Sequence, residues 1–238
     1  MSTDALLTIP LILVGSLLLA LVPGAIMWVS SRAYFPPRAR IEPLDPDKTK
    51  HFLDATRNIG LWADRHGWHW VGAFAFPAGS FAETMMEVWH TPGLDRYLVA
   101  FRHKIKPNAL FIEFMTLFDD ANHLDTLTSR EDLMFPDLPG RFIQVFPNET
   151  SLDNLWASHE RGEQWAASTH ALRPRPYCQD FETMWSQGAP RVIRGLMSKP
   201  LWPLRIWIWY FRQQTLASRG VWQRRGLRPA MRLQQPNA

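Results

Sequence analysis

The chain has 238 residues, 46% of them hydrophobic, with twelve tryptophans and fourteen phenylalanines, which is ample for a packed core and excludes a wholly disordered chain. A single cysteine, Cys178, excludes an internal disulfide and a multi-thiolate zinc site. The net charge of +4 conceals an asymmetry: no acidic residue follows Glu182, and the chain up to that point carries sixteen basic and twenty-two acidic residues.

Ala5 to Val29 is a run of twenty-five uncharged residues. As a helix rising ~1.5 Å per residue it covers roughly 37 Å, more than the ~30 Å hydrocarbon core of a bilayer. Residues 1–31 therefore read as a transmembrane anchor. The chain opens with Met1-Ser2-Thr3-Asp4 rather than basic residues and offers only poor small-x-small cleavage sites, which favours a retained anchor over a removed signal peptide. Arg32, Arg38 and Arg40 follow the run and nothing basic precedes it. The positive-inside bias then predicts a single-pass protein of the inner membrane, with the N-terminus outside and the C-terminal domain in the cytoplasm. Ser16, Ala20 and Gly24 recur every four residues, the spacing that lets helices approach closely, so another membrane protein or a second copy is the expected partner. Trp28 is placed at the membrane interface.

Residues 32–46 carry a Pro-rich stretch, Phe35 to Pro46, and read as an extended juxtamembrane spacer. Residues 47–172 are expected to form the cytoplasmic domain. From Asp47 to His66, Phe52, Ala55, Ile59, Trp62 and Ala63 keep helical spacing, and Gly67 is a C-terminal stop. Six aromatic and β-branched segments follow, over Trp68–Phe76, Thr84–His90, Arg96–Lys104, Ala109–Phe118, His123–Ser129 and Arg141–Phe146, separated by turn formers. Connections this short predict an antiparallel meander of five or six strands. The Phe111–Phe118 segment is apolar on both faces and is expected inside the sheet, covered on both sides.

Thr150 and Asp153 make a capping-box pattern for a second helix running to about His170, with Leu152, Leu155, Trp156, His159 and Ala166 as its buried stripe and Gly162 weakening its middle. The predicted class is α+β, an antiparallel sheet flanked by two amphipathic helices. Residues 173–190 read as a linker with a short helix over Asp180–Gln187.

Residues 191–238 form a basic, Trp-rich tail. Pro200 to Phe211 is apolar but for one arginine, too short to cross a bilayer. Trp202, Trp207, Trp209 and Trp222 suit the interface of a membrane, and Arg191, Arg194, Lys199, Arg205, Arg212, Arg219, Arg224, Arg225, Arg228 and Arg232 suit anionic headgroups, at roughly 1 kcal/mol each near the surface. A basic aromatic interfacial helix is expected there, and the lipid bilayer is the expected partner. Nucleic acid, which would use the same residue types, is disfavoured for an anchored chain.

Chemistry has weaker support. His66 and His69 are three apart but Gly67 divides them between a helix end and a strand start, and no third ligand is spaced for a metal. His159-Glu160 lacks the second histidine of a zinc-protease helix. Asp119, Asp120 and Asp125 flank a turn too short to cage calcium. Cys178 near Arg173 and Arg175 is a candidate reactive thiol. Neither GxGxxG nor a Walker A sequence occurs. The expectation is no metal, no cofactor and no catalytic residue: an accessory or scaffolding protein docked on a membrane complex. A tethered binder of lipid or another small ligand is the alternative, and a membrane-surface enzyme is third, with His66, His69, His159, Glu160 and Cys178 as its polar candidates.

Overall fold

A computed structural model describes residues 41–76, 84–103, 108–119, 122–128, 140–146, 149–177, 180–198 and 200–202, with Gly15, Leu204 and Ile208. The expected span over residues 5–29 lies outside these residues apart from Gly15. Among the described residues no helix is long and apolar enough to cross a membrane.

The described fold is α+β. Its strands are β1 (Glu42–Pro43), β2 (His69–Phe76), β3 (Thr84–His90), β4 (Arg96–His103), β5 (Phe111–Leu117), β6 (His123–Leu127) and β7 (Arg141–Val145). Its helices are α1 (Pro46–Arg65), α2 (Leu152–His170) and α3 (Phe181–Met197). The strands form one sheet in sequence order.

Two features depart from the expected meander. The sheet has seven strands, because Glu42 and Pro43, inside the Pro-rich stretch, pair with Ala75 and Phe74 at the sheet edge, where a proline's missing donor costs little. Ile41 and Leu44 on either side are buried, so the domain begins before Asp47. Further along, β6 and β7 pair in parallel, not antiparallel. The stretch between them, residues 128–140, has the length that a parallel crossover requires.

Local chemistry sets the helix ends. Asp45 caps α1 by accepting from the Asp47 amide (3.0 Å), Pro46 fills the first helical position, and Gly67, at φ 73°, follows the last turn. Ser151 rather than Thr150 caps α2, accepting from the Asn154 amide (3.3 Å). The segment expected to be a linker is part of the fold. Arg175 donates its amide to Leu117 O and accepts from the Asp95 amide, and α3 buries Phe181 and Met184 in its first turn and extends well beyond Gln187.

The sheet is covered on both faces. On one, Ile59, Trp62 and Ala63 of α1 and Leu155 of α2 pack with Trp68, Trp89, Leu98, Ala100 and Phe114. On the other, Phe181 and Met184 of α3 pack with Phe74, Met86, Val88, Tyr97, Val99 and Phe101. β5 contributes Phe114 to the first face and Met115 and Leu117 to the second, as its two apolar faces require.

Candidate functional site

Among the described residues a dense polar cluster lies under α2, where its inward face crosses β5, β6 and β7. His159 and Glu163 sit one turn apart and face Thr116 on β5, Thr126 on β6, Gln144 on β7 and Arg96 at the start of β4. α2 can approach this closely because position 162 is glycine. A Cβ there would stand 2.0 Å from Gln144 Nε2 and 2.8 Å from Leu124 Cδ2. The expected weak point of the helix is thus where helix and sheet touch.

The bonds in this cluster run in one direction. Arg96 donates from Nε (2.8 Å) and a terminal nitrogen (2.6 Å) to the Glu163 carboxylate, which Thr116 also reaches, at 2.5 Å. A carboxylate only accepts, so Thr116 spends its single proton there and accepts from His159 Nε2–H at 2.8 Å. His159 Nδ1 then accepts from Thr126 Oγ1 at 2.8 Å, and Thr126 accepts from Gln144 Nε2 at 3.4 Å. The imidazole is wholly enclosed, with both nitrogens occupied. Burial, and then the Arg96 charge, push its pKa down to about 3, so it is neutral at physiological pH.

A second buried carboxyl, Glu87 on β3, accepts from Trp70 Nε1 (2.9 Å) and from the Thr56 hydroxyl of α1, which also lies 3.0 Å from Phe52 O. Burial raises its pKa, and these two bonds oppose the rise. Beneath the linker region Asp95 receives Arg175 Nε (2.7 Å) and Tyr97 Oη (3.3 Å). Burial, then the Asp95 charge, raise the Tyr97 pKa. Asp125, read in sequence as a turn residue, is buried on β6 and receives Arg141 Nε at 2.7 Å.

The polar candidates from the sequence are dispersed. His66 stacks on Trp62 (centroids 4.0 Å), bonds Trp62 O through Nδ1 (2.8 Å) and lies 3.5 Å from Asp153. His69 faces His90 directly across β2 and β3, rings 5.6 Å apart, and His90 stacks on Tyr177. His159 is enclosed, Glu160 on the same helix is exposed, and Cys178 lies outside the described residues. No group of three or more histidine, cysteine or acidic side chains is arranged to hold a metal among the described residues.

The membrane candidates divide similarly. Ser16, Ala20, Gly24, Trp28, Trp207, Trp209 and Trp222 lie outside the described residues, as do Lys199, Arg205, Arg212, Arg219, Arg224, Arg225, Arg228 and Arg232. Arg191 lies within α3, and Arg194 is exposed in its last turn. Trp202 is buried, at 8% exposure. Large apolar side chains nonetheless stand in solvent among the described residues: Leu61, Trp70, Tyr177, Leu201, Leu204 and Ile208.

His159 was expected in the buried stripe of this helix and Glu163 was not, although both are buried. The i, i+4 spacing of His159 and Glu163 was a readable sign that both face the sheet. The pairing of His69 with His90 follows from strand register, which the connection over residues 77–83 does not fix. Comparison with models of known protein families, with curated proteins and with solved structures found no match.

Proposed function

We propose that the chain is a single-pass membrane-anchored accessory or scaffolding subunit whose cytoplasmic domain docks on a membrane complex. One observation carries this reading. The domain's concentrated polar groups are spent on one another inside the fold, whereas large apolar side chains, Leu61, Trp70 and Leu201 among them, are left in solvent. Apolar side chains left so exposed supply separate anchors for recognition by burial. The uncharged run over residues 5–29 supplies the anchor, and the lipid bilayer and another membrane protein, or a second copy met through Ser16, Ala20 and Gly24, are the partners.

The packing favours docking over ligand storage. Trp62, Trp68, Phe114 and Trp156 meet in a continuous ring cluster between α1, α2 and the sheet, with centroids 5.2–6.3 Å apart, where an enclosed ligand would lie. Purification of the full chain in mild detergent, at native expression level, tests the reading. A particle holding a second membrane protein or a second copy at fixed stoichiometry is expected. A monodisperse monomer without a partner would contradict it.

A further inference from the structure

α3 ends at Met197 and a left-handed residue follows it. Leu201 adopts a left-handed conformation, φ 55°, which a branched side chain rarely takes, and helical residues resume at Trp202. From this residue on the side chains segregate. Trp202 is withdrawn from solvent at 8% exposure, while Leu201, Leu204 and Ile208 are 71%, 51% and 60% exposed. Leu204 and Ile208, four apart, fall on one side of a helix, and Leu201 stands exposed at the left-handed residue before it. The indole is thus withdrawn from solvent while the three aliphatic side chains stand in it.

The charge carried by this part of the sequence selects the partner. From Arg191 to the C-terminus the chain carries ten basic residues and no acidic one, and Arg194, one turn before the end of α3, is exposed. A protein face of ordinary composition would not offset that charge. An anionic lipid surface does, and it also takes an apolar stripe a few ångströms deep. We propose that Leu201, Leu204 and Ile208 insert into the headgroup region of an anionic bilayer, with buried Trp202 coupling the inserted helix to the domain and so fixing the domain's orientation on the membrane. This deepens the anchored reading above and rests on it for the proximity of the lipid. The inserting residues are the exposed aliphatic ones, and Trp202 is a positioning residue.

The test uses the full chain with Cys178→Ser, carrying a spin label at Leu204→Cys, Ile208→Cys or, as a control on exposed α2 surface, Gln164→Cys. Each is reconstituted in phosphatidylcholine vesicles with and without phosphatidylglycerol. Labels at 204 and 208 are expected to become several-fold less accessible to a water-soluble collision reagent in the anionic vesicles. The label at 164 stays accessible in both. Trp202→Ala is expected to retain protection at 204 and 208 but to broaden the label's depth distribution. Equal accessibility at 204, 208 and 164 in anionic vesicles would overturn the proposal, as would protection conferred by an oligonucleotide and not by phosphatidylglycerol. Alkaline carbonate separates the two readings. If it strips the chain from the vesicles while the labels had been protected, the anchor fails and the tail contact stands.

Discussion

Replacing His159 by glutamine isolates what the enclosed imidazole does to stability. Glutamine is neutral at every pH and offers both a donor and an acceptor, so it answers Thr116 and Thr126 in the directions the imidazole uses. Its looser fit is expected to cost about 1–2 kcal/mol at pH 7. Acid reverses the comparison. The imidazole binds a proton near pH 6.5 when unfolded but only near 3 when folded, so the unfolded chain takes up protons first. This contribution to stability is whole above about pH 6.5 and falls by about 1.4 kcal/mol per unit until the folded pKa is reached. Between pH 7 and pH 4.5 the loss specific to His159 is about 2.5 kcal/mol. The other titrating groups are common to both proteins and cancel in the difference. Urea unfolding of the full chain in mild detergent, followed by tryptophan fluorescence, should find the parent more stable at pH 7 and the variant as stable or more so at pH 4.5. A gap of the same sign and size at both pH values would refute the enclosed, neutral histidine.

Gly162→Ala reverses the usual helix rule: alanine gains up to about 1 kcal/mol in an open helix, but here its methyl meets Gln144 and Leu124, so a net loss of about 1–3 kcal/mol is expected by the same unfolding assay. Arg96→Ala leaves the Glu163 carboxylate buried without its cation and should cost about 3 kcal/mol or more, visible as a lowered Tm or loss of soluble folded protein; a change within about 0.5 kcal/mol would show the pair to be dispensable. For Glu87 the sign is opposite to that of His159. Burial raises its pKa, so its contribution is present in acid and lost as pH rises through the folded value, and Glu87→Gln should raise Tm more at pH 8 than at pH 4. An equal Tm change at both pH values would remove Glu87 as the cause.

Elements with strong local signals were legible in the sequence. Of the α1 stripe, Phe52, Ile59, Trp62 and Ala63 are buried as the spacing implies, whereas Ala55 is exposed and Thr56 beside it turns inward to Glu87; the doubly apolar β5 lies inside the sheet. What escaped was set by contacts distant in sequence. The parallel pairing of β7 depends on where the connection over residues 128–140 delivers the chain, which composition does not encode. β1 escaped because two residues, one of them a proline, carry too short a pattern to read as a strand. α3 continues through Gly188 and Pro190, both of which signal a break on local propensity, while Phe181, Met184 and Trp185 hold its first turns to the sheet. In the site, His159 was readable as a buried helix position, but its neutral state comes from complete enclosure against the sheet and from the Arg96 charge at the start of β4, neither of which the helix sequence shows.

The membrane anchor decides the account, and alkaline carbonate extraction of native membranes tests it most directly. The chain should stay in the membrane pellet with residues 1–31 still present by intact mass. Recovery in the soluble fraction, or of a mature form lacking that segment, would contradict it.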